Sequence, residues 1–319
     1  MPDTLPTTPA PPPRRGGIVD TNALMAIRSL ELRARVVVEG FWNGLHRSPY
    51  HGFSVEFTEY RQYSPGDDTR YLDWRLYARS DRYHLKKFED ETNLRCHLLV
   101  DLSRSMSYGT TGHTKADYAR TLAATLAWFL NKQGDAVGLF TFDGQVREYL
   151  PARHRHGQLR QVMLALDKAA DGRETNLGGP LRRVAELVRK RGLLVLISDL
   201  LAPVDDLERD LSRLGAGGHE VVVFQVLDPN ELAFEFPGAR LFEDVESGKE
   251  VYLDPAVIRA EYQDRLKSHG RAMESLCQKL GFTYLQLVTY QPLDLALQDF
   301  LRSRQRRGKR IRRHGQARA

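Results

Sequence analysis

Five oxygen-bearing side chains in this sequence have types and spacing suited to holding a hard cation. Asp101, Ser103 and Ser105 form a D-x-S-x-S run directly after the apolar stretch His97-Leu98-Leu99-Val100. Alternate residues of an extended segment point the same way, so one carboxylate and two hydroxyls converge at a strand end. Thr175 lies in the loop Gly172-Arg173-Glu174-Thr175-Asn176-Leu177, ahead of a helical pattern. Asp199 follows a second apolar run, Leu193 to Ile197. Hydroxyl and carboxylate oxygens of this kind suit Mg²⁺, with Mn²⁺ or Ca²⁺ as related occupants. Three neutral hydroxyls leave the ion's charge incompletely neutralised, so such a site would favour an added carboxylate from a partner protein. The competing reading is that Asp101 and Ser103 cap one helix and Thr175 or Asn176 another. A metal-dependent hydrolase at the same residues is a further alternative, although no cysteine or histidine sits in the set as nucleophile or base.

These residues need a scaffold that brings strand ends together. From residue 94 onward, apolar runs alternate with helical spacing. Strands are expected at His97–Val100, Ala136–Phe142, Val146–Leu150, Leu193–Ile197, Val221–Phe224 and Phe282–Val288. Helices are expected between them, with a long one over roughly Pro255–Leu280 and a last one ending near Leu301. Continuous apolar strands separated by helices specify a mostly parallel sheet covered on both faces, an α/β doubly wound fold of Rossmann type. In such sheets ligands bind outside the carboxyl ends of the strands. Asp101, Thr175 and Asp199 are all expected on that edge. A hairpin is expected across Ser247-Gly248, between Leu241-Phe242 and Val251-Tyr252.

Flanking segments differ in character. Residues 1–17 hold six prolines within the first 13 positions and read as a disordered Pro-rich lead. Asp20 or Thr21 is expected to cap a helix reaching about Val38 and broken by Gly40 and Gly44. Over 18–92 the pattern is an N-terminal α+β segment, either a domain of its own or an elaboration on the sheet, with strand signals near Val55–Phe57 and Tyr83–Phe88 and a turn at Ser64-Pro65-Gly66-Asp67. The sheet domain is placed at 93–301. Residues 302–319 form a basic tail expected to be disordered.

Composition bounds the remaining classes. The 319 residues are 41% hydrophobic and 28% charged, the balance of a globular chain. Net charge is +6, which invites a nucleic-acid reading. Yet residues 302–319 hold nine of the 47 basic residues and none of the 41 acids, so the rest of the chain carries 38 bases against 41 acids, a net −3. Nucleic-acid or acidic-partner binding is therefore an alternative function for the tail alone. Two cysteines, Cys96 and Cys277, build no disulfide framework, which points to a reducing, cytoplasmic setting. No transmembrane segment or signal peptide is expected: the longest apolar stretch, Leu122 to Leu130, is nine residues. The stretch Gly109-Thr110-Thr111-Gly112-His113-Thr114-Lys115 lacks the spacing of a phosphate loop. The cluster Arg61, Asp67, Asp68, Arg70, Asp73, Arg75 and Arg79, with its neighbouring tyrosines and Trp74, reads as an ion-pair and small-core network.

The order D-x-S-x-S, then Thr, then Asp resembles the metal-ion-dependent adhesion site of von Willebrand factor A domains. The resemblance assigns Asp101, Ser103, Ser105, Thr175 and Asp199 to a metal site. One position departs from it: Arg104 stands between the serines, where adhesion-type domains carry Gly. Upstream, Gly52, Glu56-Phe57, Arg61, Tyr63, Gly66-Asp67-Asp68, Arg70 and Asp73-Trp74 resemble the signature of the bacterial "domain of unknown function 58" family, in which this segment precedes a von Willebrand A-like domain. That resemblance spans about residues 40–300. It implies a non-enzymatic, divalent-metal-dependent protein-binding module that works as partner or adaptor of a MoxR-type AAA+ ATPase in a chaperone-like system.

Overall fold

A computed structural model describes residues 19–47, 59–62, 84–87, 94–168, 177–243 and 250–316. Strands β1 (Glu59–Gln62) and β2 (His84–Lys87) pair antiparallel. The main sheet is built from β3 (Arg95–Asp101), β4 (Ala136–Phe142), β5 (Val146–Arg153), β6 (Leu193–Ser198), β7 (Glu220–Leu227) and β10 (Thr283–Val288). Its spatial order is β10-β7-β6-β3-β4-β5. Every pairing is parallel except β4 with the edge strand β5. β4, β6 and most of β7 are buried along their length, which is why they read as unbroken apolar runs. The expected doubly wound, mostly parallel α/β sheet is present.

Helices cover both faces. On one side lie α2 (Leu30–Arg47), α3 (Lys115–Lys132), α4 (Gln158–Leu166) and the first part of α9 (Leu293–Gln316). They share a core with Cys96, Leu98 and Val100 of β3. On the other side lie α5 (Gly178–Leu187), α6 (Val204–Ala216) and α8 (Pro255–Lys279), around Leu99, Phe140, Leu194 and Val223. Alternate residues of β3 thus feed opposite cores, as the period-2 geometry of a strand requires. Each fully buried Leu or Val there contributes about 1.5–3 kcal/mol. The expected hairpin is present as β8 (Arg240–Glu243) and β9 (Glu250–Leu253), following the short helix α7 (Pro229–Ala233).

Three expectations need correction. The first helical segment is two helices, α1 (Thr21–Met25), capped by the Asp20 side chain, and α2. Gly40 and Gly44 lie inside α2 rather than ending it. A helical glycine costs about 1 kcal/mol relative to Ala, and the buried stripe Ala34, Val37, Val38 and Phe41 outweighs that cost. Phe41 packs edge-on against Phe129 of α3, and Trp42 lies beside the same ring. So α1 and α2 elaborate the sheet domain and share its core, which decides between the two alternatives for that part of the segment. The last helix does not stop near Leu301 in a disordered tail: its backbone continues through the basic run to Gln316. The proline-rich lead, the strand signal near Val55 and the clustered charges and aromatics of 63–79 lie outside the described residues.

Candidate functional site

The chain enters the sheet at β3, adds β4 and β5 on one side, then crosses to add β6, β7 and β10 on the other. The switch point is the β3/β6 boundary. Asp101 ends β3 and Asp199 follows β6, and the two strands run parallel in register from Cys96↔Leu193 to Val100↔Ile197. Both aspartates therefore stand at the crevice where doubly wound folds bind ligands.

Asp101 is 1% exposed. Its Oδ1 accepts the Ser103 backbone N–H at 2.9 Å, and its Oδ2 accepts the Ser198 hydroxyl at 2.6 Å. Ser103 and Ser105 place their hydroxyl oxygens 3.1 Å apart. Ser103 is buried and flanks a single 3-10 turn, Arg104–Ser107, whose first residue, Arg104, is exposed. Burial, and secondarily the Asp199 charge, push the Asp101 carboxyl above the usual carboxylate range, against the pull of its Ser198 and Ser103 donors. Asp199 is equally buried. Its main chain is fixed by the Gln225 amide, which donates to its carbonyl at 2.9 Å. The next residue, Leu200, is fully buried with φ 54, a left-handed conformation uncommon for a branched side chain. His269 Nε2 meets the Leu200 carbonyl at 2.8 Å and holds that bend in place.

One major participant was not singled out from the sequence. Lys115, the first residue of α3, is completely buried. Its ammonium donates to Asp199 Oδ2 at 2.9 Å and to Glu231 Oε1 at 2.6 Å. Burial disfavours that charge, but the two carboxylates outweigh it and move the lysine pKa upward, so it is an ammonium at neutral pH. Glu231 belongs to the capping box of α7, where its Oε2 accepts the Asp228 N–H at 2.8 Å. Asp228 in turn accepts the Thr110 N–H at 2.8 Å and the Thr110 hydroxyl. His113 Nε2 meets the Thr289 carbonyl at 3.1 Å. The Gly109–Lys115 stretch is thus no phosphate loop but a strap across the carboxyl ends of β7 and β10. Gly109 is required there: a Cβ would lie 2.1 Å from the His113 carbonyl oxygen.

Asp101, Ser103, Ser105 and Asp199 are brought to one edge as expected, while Thr175 lies outside the described residues. The hydroxyl pair at 3.1 Å compares with about 2.9 Å, the octahedron edge for oxygens at roughly 2.0–2.1 Å from Mg²⁺. Two carboxylates, Asp199 and Glu231, share the one ammonium, and Asp101 is held by neutral donors alone. Among the described residues no group of three or more His, Cys, Asp or Glu is placed to hold a metal. Asp101, Ser103 and Ser105 fit such an ion, whereas Asp199 already serves Lys115.

Fold and site together define a doubly wound α/β domain with a charged cluster at its switch point. The chain belongs to the family described as Protein of unknown function DUF58, which matches residues 59–272. A Mycobacterium tuberculosis relative, "Uncharacterized protein Rv1480", is 30% identical over 298 residues, spanning 92% of this chain and 93% of its own. "Uncharacterized protein MAV169" from Mycobacterium avium is 27% identical over 156 residues, 48% of this chain and 90% of its own. Among solved structures, conserved hypothetical protein BatB from Bacteroides thetaiotaomicron is 15% identical with a TM-score of 0.45, covering 66% of this chain and 98% of that one. The SpRpn10 VWA domain is 13% identical with a TM-score of 0.36, covering 63% of this chain and 92% of that one. Among the described residues no helix is long and apolar enough to cross a membrane.

Proposed function

We propose that this chain is a non-enzymatic protein-interaction module that engages its partner through the carboxyl edge of the sheet with the help of a divalent cation. Asp101, Ser103 and Ser105, together with Thr175, would hold Mg²⁺, or Mn²⁺ or Ca²⁺, with Asp199 beside them. The bound ion would supply a positive point able to take a carboxylate from the partner. The protein's own part is to fix the oxygens: the Ser103 N–H and Ser198 hydroxyl orient Asp101, and the 3-10 turn aims both serine hydroxyls one way. The observation that carries the reading is the convergence of the Ser103 and Ser105 hydroxyls with the Asp101 carboxylate at the switch point. The proposed partner is a MoxR-type AAA+ ATPase in the cytoplasm.

The test is capture of such an ATPase by the full chain with Mg²⁺, with EDTA, and with the Asp101→Ala variant in Mg²⁺. Capture in the first condition and loss of at least tenfold in the other two is the expected outcome. Equal capture in all three would overturn the metal-bridged mode.

A further inference from the structure

A buried lysine with a carboxylate on either side does more than close an ion pair. We propose that Lys115 is a resident cation of this site that competes with a divalent ion for Asp199 and so sets how tightly that ion is held. The inference rests on the divalent-ion reading above and adds its regulating residue.

Three observations carry it. Asp199 is the shared element: it stands across the β3/β6 boundary from the Ser103–Ser105 hydroxyl pair, and its Oδ2 is taken by the ammonium at 2.9 Å. Both side chains of that pair are 1% exposed, so little solvent screens the lysine charge from a second cation drawn to the same carboxylate. Glu231 offers the ammonium a second seat at 2.6 Å. That seat is held in place, because the other Glu231 oxygen is fixed by the Asp228 N–H of the α7 capping box. The lysine is anchored from its own side too, its backbone N–H donating to the Tyr108 carbonyl at 2.9 Å. An ammonium between two fixed carboxylates can give up part of its hold on one without being left unpaired. Ion binding at Asp199 would then shift Lys115 toward Glu231, and through it toward α7 and the hairpin that follows.

This arrangement predicts opposite effects from its two sides. Removing the ammonium frees Asp199 for the ion. Removing the Glu231 charge leaves Lys115 with Asp199 alone and strengthens the competitor. A merely structural role would weaken ion binding in both variants, through the same loosening of the fold.

The experiment titrates Mn²⁺ into the full chain and counts the free ion by electron paramagnetic resonance. Wild type, Lys115→Met, Glu231→Gln and Asp101→Ala are compared, each checked for folding by circular dichroism. The expected result is at least tenfold tighter binding in Lys115→Met, several-fold weaker binding in Glu231→Gln, and loss in Asp101→Ala. Wild-type binding with unchanged or weaker affinity in a folded Lys115→Met overturns the competition and leaves the metal site standing. Should Lys115→Met not fold, an unchanged or tighter Mn²⁺ affinity in Glu231→Gln overturns it instead. Absence of Mn²⁺ binding in every form overturns the metal site itself and the competition with it.

Discussion

Strand β3 presents His97 and Asp101 on one face, two pleats apart; burial disfavours the charge of both, and fixed donors are supplied to Asp101. They are 7% and 1% exposed. Toward the amino end, burial, with smaller effects from His219 and Arg95, pulls the His97 pKa down to about 4. The ring is neutral at pH 7, and its Nδ1 has no hydrogen-bond partner. Nearby on the same strand, burial pushes the Cys96 thiol far up, so it too stays uncharged. At the carboxyl end the opposite holds. Lys115 keeps its charge between Asp199 and Glu231, and Asp101 is given two fixed donors. Keeping an ion in a dry interior costs several kcal/mol unless partners are supplied. The fold supplies them from β6, α3 and α7 at one edge and lets burial neutralise the groups at the other.

The contrast breaks most visibly at Asp199. Asp199→Ala strands a buried ammonium with one carboxylate fewer, and urea unfolding is expected to show a loss of about 3–5 kcal/mol. A loss below about 1 kcal/mol, the value of a surface pair, would mean the edge is wetter than its geometry implies.

The amino end gives the next effect, through pH. The His97 pKa is about 4 in the folded chain against 6.5 in the reference state. Its contribution is therefore present above pH 6.5 and lost as pH falls toward 4. Between pH 8 and pH 4 the wild type should lose about 3 kcal/mol more than His97→Leu, at about 1.36 kcal/mol per pKa unit. Parallel losses in the two proteins would assign the acid sensitivity to other groups.

The smallest effect sharpens the carboxyl end. Ser198→Ala removes the hydroxyl that donates to Asp101 and accepts the Leu200 N–H at 3.1 Å. Loss of both is expected to cost about 1–2 kcal/mol by thermal or urea melts, with the Asp101 carboxyl moving further up.

Much of this architecture was legible because it depends on local pattern. β4, β6 and β7 are buried apolar runs of strand length, and Asp101 and Asp199 announce themselves by following such runs. Lys115 does not. It closes a polar stretch that reads as loop, and its partners are carboxylates 84 and 116 positions away. The traces that could have found it are the capping boxes, Thr114 with Asp117 and Asp228 with Glu231, which place two helix starts beside the strand ends. α2 was misread for the converse reason: two glycines are a local stop signal, and packing against α3 overrides it. The arginine-rich end of α9 was misread because charge runs resemble solvated tails, whereas the backbone simply continues a helix anchored by the buried Leu293, Leu297 and Phe300.

The packing of α2 across α3 bears on where this protein can be cut. The family model's match begins at residue 59, downstream of both N-terminal helices. Those helices bring Leu24, Leu30, Val37, Val38 and Phe41 into the same core as the sheet, and Arg33 donates to the Thr121 hydroxyl at 2.9 Å. A fragment trimmed to residues 59–272 would turn the Phe129 side of α3 to water as a continuous greasy strip. The matched stretch and the folding unit do not share a boundary, and a truncation that keeps this core has to begin before Asp20.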